Sequence, residues 1–206
     1  MQPPRWLQDA VRRVPVWLIY LGTALWLGGL FAMALFGRLG VDPVAELIAQ
    51  YGKGALNMLI AGLAITPLRR FTGLNLLRFR RAVGLSAFFI LCAHLTVFAV
   101  LDLQSLSRLG VEIAERPFIT IGMLGFVLLI PLALTSTDRA IRKMGRNWTK
   151  LHRLTYVVIL LGWLHYEWQV RGEVVEPLTY LTIILILLGL RFVPRKRAPL
   201  HKNVSL

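Results

Sequence analysis

Apolar residues in this chain fall into six long runs separated by short polar connections. They do not form the striped or alternating patterns of a domain that faces water. The runs cover residues 14–36, 54–68 (to 70 with two flanking arginines), 82–101, 118–137, 154–170 and 178–193, the last counted from 174 or 176 if its first polar turn is included. A helix of about 20 residues crosses the hydrocarbon core of a bilayer. Only a helix or a closed barrel can satisfy its backbone there, and barrel alternation is missing. The pattern therefore predicts an all-α, polytopic membrane protein, a bundle of six transmembrane helices forming one domain over residues 1–206. The first run, at 23 residues, is longer than the apolar part of a cleaved leader and reads as a retained span. The second is short at 15 residues, and Lys53, Arg69 and Arg191 are placed to lengthen the short spans by snorkelling. Pro131 predicts a kink in the fourth span. Two connections read as surface helices: 44–50, behind the capping pair Asp42-Pro43, and 105–116.

Charge adds an orientation. Of 24 lysines and arginines, 19 fall at the N-terminal tail, the second-to-third and fourth-to-fifth connections and the C-terminal end. The other three connections carry 5, and eight of the ten acidic residues fall on their side, seven in the connections and Glu167 near the end of the fifth run. The positive-inside rule puts the basic side, and with it both termini, in the cytoplasm. The net charge of +14 does not indicate nucleic-acid binding, because the basic residues sit at the ends of apolar runs and form no aromatic-interleaved face. A hydrophobic content of 56% and a mean hydropathy of +0.63 agree with a chain in lipid. The single cysteine, Cys92, can form no internal disulfide.

Histidines carry the candidate chemistry. Ionisable groups inside a membrane are costly and mark function. His94, in the third span, and His165, in the fifth, fall at similar depth in the outer half of two parallel helices. Two facing imidazoles would fill both axial positions of a b-type heme. No C-x-x-C-H motif would tether it, and no carboxylate or thiol accompanies these histidines to make a zinc site. His152 precedes His165 by 13 residues, about 20 Å along a continuous helix and roughly 140° around it. It reads either as a ligand for a second heme or, beside Trp148 and Arg153, as an interfacial residue. The inner position opposite it on the third span holds Arg80 and Arg81, and arginine stays protonated. These arginines, with Arg78, are a topology signal or an anion site for a heme propionate, a flavin phosphate or a lipid headgroup. His201 lies in the basic tail and reads as solvated.

Several stretches resemble the MsrQ (YedZ) family. They are Gly52-Lys53-Gly54-Ala55-Leu56 leading to Ile65-Thr66-Pro67-Leu68, Arg80-Arg81 through Gly84-Leu85 to His94-Leu95-Thr96, Arg116-Pro117-Phe118 through Thr135-Ser136-Thr137, and Gly145, Trp148, Leu151-His152, Tyr156 and His165-Tyr166. The resemblance implies a heme-binding membrane subunit of a periplasmic protein-methionine-sulfoxide reductase, within the ferric-reductase-like transmembrane group that includes NADPH oxidases. It implies electrons taken from the quinone pool or a cytosolic flavin reductase, passed through heme b to a periplasmic molybdenum-containing catalytic subunit that repairs oxidised methionines. It also implies FMN, and heme roles for His94, His152 and His165. The wider group has two histidines on each of two helices, a pattern from which this chain departs at Arg80 and Arg81. Two other readings predict different observations. A ferric reductase or other quinol-linked cytochrome b would share the heme but not the partner. A transporter or assembly factor would be colourless.

Overall fold

The computed structural model describes residues 3–170 and 172–193, leaving His201 and most of the basic C-terminal tail outside the described residues. The chain is all-helical, with 84% helix and no strand among the described residues. Among the described residues ten α-helices follow in order: α1 (Arg5–Arg13), α2 (Trp17–Leu35), α3 (Pro43–Thr72), α4 (Arg80–Val97), α5 (Leu106–Glu115), α6 (Pro117–Leu134), α7 (Asp138–Met144), α8 (Arg146–Leu151), α9 (Leu154–Gln169) and α10 (Val175–Phe192). A π-helical turn carries α4 on through Asp102. Each of the six longest overlaps one of the six apolar runs. Three stretches, Trp17–Leu35, Leu77–Asp102 and Pro117–Leu134, are long and apolar enough to cross a membrane. Large apolar side chains on their outer faces are bare, among them Leu25 at 66% exposure and Leu134 at 73%. So many exposed apolar groups suit lipid and not water.

The second run differs from expectation. The surface helix 44–50 and the short span 54–68 are one helix, α3, 30 residues long. It starts where the Asp42 carboxylate accepts from the backbone N–H groups of Val44 (3.2 Å) and Ala45 (3.0 Å), a cap worth about 1 kcal/mol, with Pro43 at the first helical position. It ends at Gly73, whose left-handed φ of 74° lets its N–H return to the Arg69 carbonyl. Glycines inside a helix cost about 1 kcal/mol each, yet Gly54 is used: the Trp26 indole of α2 fills the space a side chain would need. Pro131 does not end α6, which continues to Leu134.

The helices α3, α4, α6 and α9 form the centre, with α3 packed along α4 and α6 along α9. Their shared core contains Leu56, Leu59, Leu63, Ala87, Leu129 and Ile159, with Ile184 entering from α10. On the other flank, α2 is fixed by the Thr23 hydroxyl donating to Ser86 (3.0 Å) and the Tyr51 hydroxyl donating to the Leu27 carbonyl (2.7 Å). Arg191 points inward and does not snorkel. It donates to the Leu63 carbonyl (2.9 Å) and to the Tyr156 hydroxyl, tying α10 to α3 and α9.

Candidate functional site

Two cavities stack along the axis of this four-helix centre, and Leu59 belongs to the walls of both. The first, about 440 Å³, lies between the N-terminal half of α3, the C-terminal part of α4, the start of α6 and the end of α9. That volume is in the range of cofactor pockets. His94 and His165 enter it from α4 and α9, with ring centroids 6.3 Å apart and ring planes at 88°.

The tautomers of both rings follow from their partners. Nδ1 of His94 is 2.9 Å from the Ile48 carbonyl of α3, and Nδ1 of His165 is 2.6 Å from the Phe118 carbonyl of α6. A carbonyl can only accept, so each Nδ1 carries the proton and donates it. In the neutral ring the lone pair then lies on Nε2. Such an arrangement is what orients a ligating imidazole. Two glycines give the rings their places. A Cβ on Gly122 would lie 2.7 Å from Nδ1 of His165, and one on Gly52 would lie 3.3 Å from Cε1 of His94. The depth of the cavity is apolar, with Leu56, Leu91, Met123 and Phe126 in its wall. Its mouth is polar, where Lys53 donates to Glu176 (2.9 Å) beside the Tyr166 ring.

The second cavity, about 590 Å³, is lined by His152, Arg78, Arg80, Arg81 and Arg191. Here too the structure differs from expectation. His152 is not on α9 but caps the C-terminus of α8, in the turn before α9 begins at Leu154. The rise and rotation expected between His152 and His165 on one straight helix therefore do not apply. The His152 ring stacks on Trp148 at 3.9 Å, with Nε2 3.0 Å from the Thr135 hydroxyl. That hydroxyl gives its proton to the Pro131 carbonyl (2.6 Å), so it accepts from Nε2–H. His152 thus holds the tautomer opposite to that of His94 and His165. Burial, and secondarily the Arg80 charge, lowers its pKa and keeps the ring neutral. Among the described residues no second imidazole lines this cavity. Arg81 pairs with Asp138, and its hydrogen bond and charge hold that carboxyl below its ordinary range.

The sequence places His94, His165, His152, Arg80 and Arg81 as candidates, and the structure groups them as one pair in the first cavity and one separate cluster in the second. Lys53, Glu176, Thr135, Gly52 and Gly122 escaped it. A glycine one helical turn beyond Phe118 in an apolar run was the one visible trace of Gly122.

Residues 50–163, more than half of the chain, match the family model described as ferric reductase like transmembrane component. The stretch takes in α4, α6 and most of α3 and α9, so the bundle around the two cavities defines a membrane protein of the ferric-reductase-like class. The chain is 44% identical over 202 residues to the protein-methionine-sulfoxide reductase heme-binding subunit MsrQ of Brucella anthropi, covering 97% of this chain and 86% of that one. It is 43% identical over 185 residues to the subunit of the same name from Brucella ovis, covering 89% and 79%. Within its class, the chain belongs to the MsrQ family. No solved structure matches it.

Proposed function

We propose that the chain is a membrane electron-transfer subunit that holds a b-type heme between His94 and His165. The observation that carries this reading is the 6.3 Å between the two ring centroids. A metal bonded to two opposed imidazoles, each at about 2 Å, sets their centroids roughly 6 Å apart. The donor set fits the group, since both rings keep a lone pair on Nε2 and both Nδ1 protons are spent on carbonyls. The space fits as well: Gly52 and Gly122 leave the room in which the two imidazoles sit, and the cavity they enter is about 440 Å³. Bound there with both axial positions filled by nitrogen, heme would supply one-electron transfer. His94 and His165 would hold the iron, with the carbonyls of Ile48 and Phe118 fixing the tilt of the rings and the apolar wall keeping water out. The relatives are named heme-binding subunits, which supports the same reading. A purified sample is expected to show a low-spin b-type redox difference spectrum with one heme per chain. A colourless protein would end the proposal. Two hemes per chain would give the inner cavity a heme as well.

The finer reading places six helices across a bacterial inner membrane with both termini in the cytoplasm. The His94–His165 site then faces the periplasm, and His152, Arg80 and Arg81 mark the uptake side, as a second heme, FMN or quinone site. Donors would be the quinone pool or a cytosolic flavin reductase. The acceptor would be a periplasmic molybdenum-containing methionine-sulfoxide reductase subunit, docking on the acidic outer connections. Charge asymmetry supports the orientation and family membership the partner. Reporter fusions after residues 75 and 145 are expected to read cytoplasmic, and a fusion after residue 40 periplasmic. The reverse pattern would invert the electron path. A pull-down that recovers no such reductase would favour a ferric reductase or another quinol-linked cytochrome.

A further inference from the structure

The mouth of the outer cavity holds a cation that the heme ligation does not use. Lys53 follows Gly52, which abuts the His94 ring, and its ammonium lies 5.7 Å from the ring centroid of Tyr166, the residue after His165. It therefore reaches from the side of one imidazole to the side of the other. We propose that Lys53 is a carboxylate anchor, and that it fixes the edge of the porphyrin carrying the propionates at this mouth. The inference rests on heme being held between His94 and His165.

The argument is one of charge and solvation. The depth of the cavity is apolar, and a carboxylate placed there would be desolvated without a partner. Apart from the two imidazoles, the polar side chains of its wall gather at the mouth. Around it, Asp102 and Glu176 repel an anion. Arg116 is 55% exposed and already paired with Glu112 at 2.7 Å. Lys53 is more enclosed, at 31% exposure. Among the described residues its ammonium gives one N–H to Glu176, at 2.9 Å, and an ammonium has three to give. The pair with Glu176 also shows that a carboxylate oxygen can reach this ammonium at the mouth. Glu176 itself comes from the first turn of α10, so the same lysine joins α3 to α10.

A thermodynamic cycle separates an anchor from a mere tie between helices. Full-length protein made under heme limitation is loaded with hemin or with hemin dimethyl ester, whose propionates carry no charge. Wild type is expected to prefer hemin by about tenfold, the scale of one charge-assisted hydrogen bond. Lys53→Ala should bring that preference close to one, while Lys53→Arg keeps most of it. Glu176→Gln, which removes the competing carboxylate, should raise it. If Lys53 only ties α3 to α10, Lys53→Ala and Glu176→Gln will weaken both ligands alike and leave the preference unchanged, which overturns the proposal. The same overturning result is an unaltered preference in Glu176→Gln even if Lys53→Ala binds neither ligand. A loaded wild type lacking a low-spin bis-imidazole spectrum would instead refute the ligation on which the inference rests.

Discussion

Replacing His94 or His165 with alanine is expected to strip the protein of most of its heme, while His152→Ala keeps the main low-spin band. Under the proposed ligation each of these two rings would supply one bond to the iron, and each is placed by a hydrogen bond from Nδ1 to a backbone carbonyl. Loss of such an outer partner alone costs about 10–100-fold in metal affinity, so loss of the ligand itself should cost more. The heme that remains should be high-spin, and added imidazole should restore part of the low-spin band by entering the vacated space. His152 is different in kind. Its Nε2–H is given to Thr135 and its ring is stacked on Trp148, so its removal disturbs the inner cavity and the start of α9. The measurement is heme per chain and spin state in the three variants, with circular dichroism to check helix content. Full heme in both His94→Ala and His165→Ala would refute the ligation.

That pair could be anticipated in the sequence because lipid makes the signal simple. A polar ring deep in an apolar run needs a reason, and position along each run, with the direction the charge counts predict, sets its expected depth. Depth was enough to bring His94 and His165 to one level. It was not enough for anything that depends on where a helix begins or which way it faces. The turn at residues 152–153 removes His152 from α9, and an apolar run carries no mark of that break beyond its own edge. The sequence divides the 30-residue α3 into a surface helix, 44–50, and a span that begins at Gly54, with Gly52 and Lys53 between them. Their roles appear only when His94 and Trp26 lie against the two glycines and Glu176 meets the lysine from 123 positions further on. Arg191 likewise counts as a topology charge in the sequence and turns out to be a half-buried tie to Leu63 and Tyr156.

Gly122→Ala should act almost as a ligand mutation without touching a ligand. The added methyl would lie 2.7 Å from Nδ1 and 2.9 Å from Cε1 of His165. The ring cannot simply lean away, because the Phe118 carbonyl that holds its Nδ1 is one turn back on the same helix, at 2.6 Å. Either the hydrogen bond breaks or α6 and α9 part, and overpacking of this kind costs about 1–3 kcal/mol. With the ring's outer partner lost, heme affinity should fall by about 10–100-fold, with an altered low-spin spectrum. Two other glycines grade the effect. Gly52→Ala should be milder, since its methyl would lie 3.3 Å from Cε1 of His94, and Gly84→Ala should be silent because nothing lies within 4 Å of its added carbon. Heme titrations on the three variants test the order. If Gly122→Ala binds heme like Gly84→Ala with an unchanged spectrum, then His165 does not sit against α6 when the iron is bound, and its place in the ligand pair fails with it.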